Sequence, residues 1–120
     1  MTIRELYEII ESRRNNDEST SYTRQLFDRG LDTPISFASL VPSYTRQLFD
    51  RGLDRIIQKV GEESVEVVIA AKNDENDEFI GEVADLVYHL LVLLVAKDIK
   101  ITDIERCLQE RHDNDNKLIK

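Results

Sequence analysis

Apolar residues recur along most of this chain at helical spacing, and no segment alternates with the two-residue period of a half-buried strand. Thr2 and Glu5 have capping-box spacing just ahead of Leu6, Tyr7, Ile9 and Ile10, so a first helix is expected to run to about Arg14. The polar NNDEST stretch then reads as a loop. Further on, the periodicity predicts a long helix over about 53–72, ending near Asn73 and Asp74. Another is predicted over about 78–97, with Asp77 placed to cap it. Thr102 and Glu105 repeat the capping-box spacing and open a last helix carrying Ile104 and Leu108, which should fray in the polar tail after His112. The fold class is therefore all-α, with a helical bundle as its natural arrangement.

Turning about 100° per residue along 53–72 gathers Ile56, Ile57, Val60, Ser64, Val67, Val68 and Ala71 on one broad apolar face. Val65 and Ile69 form a second, narrower patch, and Lys59, Glu62, Glu63 and Glu66 fall between the two. The carboxylates thus lie beside packing surface rather than on a fully solvated side. The next helix is apolar almost all round, through Phe79, Ile80, Val83, Leu86, Val87, Leu90, Leu91, Leu93 and Leu94, which marks it as central to the bundle. Its one polar strip holds Glu82, Asp85 and His89.

Length and charge narrow the function classes. With 120 residues, 41% of them hydrophobic, a single domain is expected, with a core modest enough for a partner subunit to complete. A helix apolar all round, with few helices to cover it, points to a homodimer. The net charge of −8 argues against general binding to nucleic acid or to an anionic membrane, while leaving room for a local basic pocket. The most apolar stretch, 86–96, contains Tyr88 and His89 and is well short of the roughly 20 residues that cross a bilayer. A lone cysteine, Cys107, has no internal disulfide partner, and no signal peptide is recognisable, so a reducing cytoplasm is expected.

An identical internal repeat interrupts the pattern. Residues 21–32 (SYTRQLFDRGLD) recur as 43–54, offset by 22 residues, with TPISFASLVP between them. Two undiverged copies without a third do not make a solenoid; they look like a tandem duplication, and both cannot occupy one structural slot. Pro34 and Pro42 bracket the spacer, so an irregular excursion is expected between the copies.

The acidic strips carry the candidate chemistry. Glu63 with Glu66, and Glu82 with Asp85, are i, i+3 pairs that each project from one side of a helix, and the short connection at 73–77 lets the strips face one another. Carboxylates set against apolar surface are costly unless a cation neutralises them. An all-oxygen donor set suits Mg²⁺ or Mn²⁺, and the shortage of His and Cys argues against zinc. A single EExxE is more often a solvated helix face; the second acidic pair, on a helix otherwise nearly free of charge, is what separates a site from that bland reading. Lys59 suits salt bridges to Glu62 and Glu63 or contact with a phosphate, and His89 suits a core histidine or a direct role. Tyr88 is assigned to packing.

The EExxE motif followed by ExxD, here GEESVE and GEVAD, resembles the signature of the all-α nucleotide pyrophosphohydrolases of the MazG type. Within that superfamily, SYTRQLFDRGLDRIIQKVGEESVEVVIAAKN with EVADLVYHLLVLL is similar to the phosphoribosyl-ATP pyrophosphatases over nearly all of the chain apart from one repeat copy. The resemblance implies an all-α homodimer of histidine biosynthesis that converts phosphoribosyl-ATP and water to phosphoribosyl-AMP and pyrophosphate. It implies metal ligation by Glu63, Glu66, Glu82 and Asp85, and a water-positioning role for Glu62 or Glu63. Lys59, Arg46, Ser43, Tyr44, Thr45 and His89 are implied to line the substrate site. A house-cleaning nucleoside triphosphate pyrophosphohydrolase with the same metal site is the competing enzyme reading, and a non-catalytic helical dimerisation module is the non-enzymatic one. The duplication departs from the family pattern, and removing 21–42 restores a family-like chain. Only the second copy runs directly into RIIQKVGEE, so 43–54 is expected in the native position, with 21–42 displaced.

Overall fold

The computed structural model describes residues 1–15 and 37–114, with the backbone alone over 37–43. Five helices and no strand occur among them: α1 (Ile3–Asn15), α2 (Phe37–Arg51), α3 (Leu53–Ala71), α4 (Asn76–Ala96) and α5 (Ile101–Asp113). The first repeat copy lies outside the described residues, as does the NNDEST stretch beyond Asn15, which itself closes α1. The spacer departs from expectation where it is described, because 37–42 are helical and lead straight into the second copy. Pro42 stands at the sixth position of that helix, where its missing N–H removes a single bond near the N-terminal end.

The core is built around the C-terminal half of α4, where Leu91, Val92 and Val95 meet Tyr7 and Ile10 of α1, Leu48 of α2 and Ile56 of α3. Ile10, Ile56, Val92 and Val95 are almost wholly removed from water, each worth roughly 1.5–3 kcal/mol of apolar transfer. Helices α3 and α4 pack against each other as an antiparallel hairpin, and α1 and α2 cover one end of it. By length and composition alone, the 21 residues of α4 are long and apolar enough to cross a membrane, a longer span than the 86–96 stretch suggested. The core helix of a small bundle passes the same test, and this one carries Glu82, Asp85 and the buried His89.

Local chemistry sets the helix ends. Thr2 and Glu5 form the expected capping box: the Glu5 N–H donates to Thr2 Oγ1 at 3.1 Å, and the Thr2 N–H to Glu5 Oε2 at 3.4 Å. Gly52 turns α2 into α3 with φ 96° and ψ 178°, a conformation open almost only to glycine, while its N–H satisfies the Leu48 and Phe49 carbonyls. Two expected caps are corrected. Helix α4 begins at Asn76, before Asp77, and lacks a side-chain cap, and α5 begins after Lys100, whose N–H donates to Asp103 Oδ2 at 3.1 Å. The Lys100–Asp103 pair stands two residues ahead of the expected Thr102–Glu105 frame, and Asp103 holds the Lys100 N–H because it lies three residues on, the reach of a capping carboxylate.

The orientation of α3 also differs from the projection. Ile56 and Ala70 are buried, with Lys59, Val60, Glu63 and Val67 partly covered beside them, whereas Ile57 and Val68 of the expected core face are more than half or about half exposed. Among the described residues, only α4 lies along α3 for most of its length, so a single neighbour covers a narrow stripe. That stripe includes Glu63.

Candidate active site

Glu63 from α3 and Glu82 and Asp85 from α4 converge so that one carboxylate oxygen of each lies within 4.8 Å of the others. The antiparallel hairpin creates this meeting, because it brings the middle of α3 opposite the first half of α4. Such a set offers hard oxygen donors from two rigid elements, the arrangement that suits a small divalent cation. Glu82 holds its proton above the usual carboxylate range, through partial desolvation first and then the charges of Asp85, Glu66, Glu63 and Glu78. Negative charge is therefore crowded here. Glu66 adds to that field, although its oxygens are outside the group of three and its side chain is exposed.

One cation already leans on the group. The Lys59 ammonium lies 3.2 Å from Glu63 Oε1 and 3.3 Å from Glu62 Oε2, and its side chain is only 17% exposed. Burial lowers its proton affinity, but the hydrogen bonds to Glu63 and Glu62 outweigh that and leave it raised. Glu62 also faces Arg55 at 3.6 Å, so it belongs to an ion-pair chain running along α3 and stands apart from the three converging acids. Sequence reasoning passed over Arg55; its position seven residues before Glu62 puts the two on one helix face and was the available signal.

The second repeat copy supplies the wall beside the acids. The Tyr44 hydroxyl lies 2.8 Å from His89 Nε2, and His89 Nδ1 lies 2.7 Å from the Asp85 main-chain oxygen. The Tyr44 ring stacks on Tyr88 with centroids 6.2 Å apart, and the Thr45 hydroxyl bonds the Tyr88 hydroxyl. Tyr88 is thus more than apolar packing, since it secures α2 to α4. Its phenol is pushed up to about 12, chiefly by burial. Thr45 is buried and its hydroxyl faces Tyr88, while the Tyr44 phenol, raised mainly by desolvation, feels Lys59, Glu63, Arg55 and Glu62.

Arg46 is directed elsewhere. Its Nη1 donates to the Arg14 carbonyl at 3.0 Å, and its Nε lies 3.1 Å from Asp50 Oδ1, close enough for an ion pair though not aligned as a hydrogen bond. Arg14 in turn holds Asp98 at 2.7 Å, so these groups tie α1 to α2 and to the end of α4. The structure therefore brings Lys59, Glu63, Glu82, Asp85, Tyr44 and His89 into one neighbourhood and sets Arg46 among structural contacts. The side chain of Ser43 lies outside the described residues.

A family model described as phosphoribosyl-ATP pyrophosphohydrolase matches residues 38–112, a span that contains Tyr44, Lys59, Glu63, Glu82, Asp85 and His89 and the second repeat copy. The chain belongs to the phosphoribosyl-ATP pyrophosphohydrolase family. Among its relatives, the phosphoribosyl-ATP pyrophosphatase of Listeria monocytogenes is 64% identical over 109 residues, covering 91% of this chain and 84% of that protein. The protein of the same name from Clostridium acetobutylicum is 41% identical over 108 residues, covering 90% and 78%. The histidine biosynthesis bifunctional protein HisIE of Caldanaerobacter subterraneus is 57% identical over 110 residues, which span 92% of this chain and 43% of that longer protein.

Proposed function

We propose that the chain hydrolyses phosphoribosyl-ATP to phosphoribosyl-AMP and pyrophosphate in histidine biosynthesis, using a divalent cation held by Glu63, Glu82 and Asp85 with Glu66 beside them. The observation that carries this reading is the convergence of three carboxylates from two helices of a family member. The donor set fits Mg²⁺ or Mn²⁺, which would supply positive charge to the polyphosphate and to the departing pyrophosphate.

The chain's own groups do the rest. Water adds across the α–β anhydride, its hydroxyl going to one phosphorus and its proton to the oxygen released from the other. Glu62 and Glu63 are the candidates to orient that water, and Glu63 is better placed because it belongs to the converging group. Lys59 is one side-chain length from the same point and offers its ammonium to phosphate oxygens once it turns from the acids.

Two further readings belong with the function. The second repeat copy takes the native position and 21–42 forms an insertion, a reading supported by the burial of Thr45 and Leu48. The working molecule is a homodimer, a reading supported by exposed apolar side chains on α3 and α4, including Ile57, Val65, Val68, Ile69 and Ile80. The free thiol of Cys107 is exposed, as suits the reducing cytoplasm in which we place the reaction.

Pyrophosphate release with Mg²⁺ from phosphoribosyl-ATP, compared with release from ordinary deoxynucleoside triphosphates, tests the assignment. Faster cleavage of the triphosphates would overturn it in favour of a house-cleaning enzyme. Calorimetric Mg²⁺ titration of Glu66→Gln and Asp85→Asn tests the metal site, and unchanged binding in both variants would return the acids to a solvated surface.

A further inference from the structure

The Asp85 main-chain carbonyl can only accept a hydrogen bond, so a neutral His89 ring 2.7 Å away must carry its proton on Nδ1. The lone pair then sits on Nε2, and the Tyr44 hydroxyl 2.8 Å from it must donate. His89 is 5% exposed with both ring nitrogens engaged, which leaves it no atom for a substrate. Tyr44 is 38% exposed. With its proton committed to His89, the hydrogen-bonding capacity of its oxygen that remains is acceptance.

We infer that His89 is a positioning residue that makes the Tyr44 hydroxyl an acceptor-only group at the edge of the carboxylate site, where it recognises a sugar hydroxyl of the substrate. This rests on the proposed hydrolysis of phosphoribosyl-ATP. Phosphate oxygens at neutral pH offer almost no donors, so an acceptor-only phenol has little use for them. Tyr44 nevertheless adjoins Lys59 and Glu63, the groups that face the polyphosphate. The donor-bearing part of a nucleotide nearest its polyphosphate is the ribose that carries it. Stacking on Tyr88 and the Thr45–Tyr88 hydrogen bond hold the Tyr44 backbone and ring against α4, so the hydroxyl is preorganised before the substrate arrives.

Two measurements on the full chain test this. Long-range proton–nitrogen NMR of the imidazole should show the Nδ1–H tautomer for His89, with an Nε2 signal that moves in Tyr44→Phe. An Nε2–H or doubly protonated ring would overturn the inference whether or not phosphoribosyl-ATP is the substrate. In steady-state pyrophosphate release, Tyr44→Phe should raise KM roughly three- to tenfold, the worth of one neutral hydrogen bond, with a smaller change in kcat. His89→Leu should do the same, adding it to Tyr44→Phe should cost nothing further, and His89→Gln, which restores an acceptor, should recover most of the loss. Additive losses would mean that His89 acts independently of Tyr44 and would overturn the inference. Failure of the wild-type chain to cleave phosphoribosyl-ATP would instead overturn the proposed function, and the NMR result would still judge the His89–Tyr44 pair.

Discussion

Lys59 and Glu63 form a 3.2 Å ion pair across one turn of α3, and Glu63 is the α3 carboxylate that converges with Glu82 and Asp85. The lysine therefore occupies, in part, the electrostatic place of a divalent cation. At the proposed metal site, Mg²⁺ would have to displace that interaction, and displacement would free the ammonium for phosphate. Two opposite effects are expected from Lys59→Met. Calorimetry should give tighter Mg²⁺ binding, by about fivefold for a largely covered pair worth ~1 kcal/mol. Pyrophosphate release should show a lower kcat/KM, because the freed cation is gone. Weaker Mg²⁺ binding in the variant would mean that Lys59 organises the acids rather than competing for them.

Crowded carboxylates without a cation work against the fold. Glu82 is raised first by partial desolvation, and the charges of Asp85, Glu66, Glu63 and Glu78 add to that. Metal-free Glu82→Gln should therefore melt above the wild type, and saturating Mg²⁺ should stabilise the wild type more than the variant. Equal Mg²⁺-dependent shifts in Tm would separate Glu82 from the metal.

Tyr88 gives the fold an alkaline limit. Its phenol is raised from 10.0 to about 12, so between those values the folded chain keeps a proton that the unfolded chain loses. Unfolding then releases a proton, and stability falls as pH rises through this window, by up to roughly 2–3 kcal/mol at its top. Below pH 10 the contribution is fully present. Urea denaturation of Tyr88→Phe across pH 9–12 (the span that brackets the shift) should show a shallower decline than the wild type.

Much of this was legible in the chain because helices announce themselves locally. The Thr2–Glu5 cap, the break at 73–75 and the two i, i+3 acidic pairs depend on residues within a turn of one another, and periodicity places them. Convergence of Glu63, Glu82 and Asp85 followed from the short connection between their helices. What sequence left open depends on contact between distant segments. Whether Arg46 faces a phosphate or the Arg14 carbonyl is decided by where α1 ends against α2, and the pairing of Thr45 with Tyr88 is decided by how α2 crosses α4. The rotation of α3 was misjudged for a related reason. Hydrophobicity cannot distinguish a face buried by the chain's own α4 from one left for another surface, and Ile57 and Val68 scored as core alongside Ile56.

That uncovered face makes a prediction of its own. Val65 and Val68 are both more than half exposed, on the side of α3 away from α4. Burying such side chains is worth roughly 1.5–3 kcal/mol each, and a two-fold interface counts each twice. Wild-type chain should scatter light as a dimer at micromolar concentration. The double variant Val65→Lys with Val68→Lys should raise the dissociation constant by more than about a hundredfold and run as a monomer. A monomeric wild type would leave the dimer reading without support.

The repeat offers a test in which the same substitution is made at two identical sequences. In the second copy, Thr45 is 1% exposed and its hydroxyl pairs with Tyr88, so Thr45→Val removes the partner of a buried phenol and should cost about 1–2 kcal/mol in urea unfolding. Thr23 has the same neighbours in sequence, from Ser21 through Asp32. If the second copy is the docked one, Thr23→Val should change stability by less than about 0.5 kcal/mol, as expected of a position outside any tight contact. Deleting 21–42 should then leave both the melting temperature and pyrophosphate release close to wild type, since residues 16–20 would join α1 directly to the second copy. A large loss from Thr23→Val with little from Thr45→Val would reverse the threading. If the two copies exchange in one slot, each variant alone should cost no more than about RT ln 2, ~0.4 kcal/mol, because the other threading takes over, and only the double variant should show the full loss.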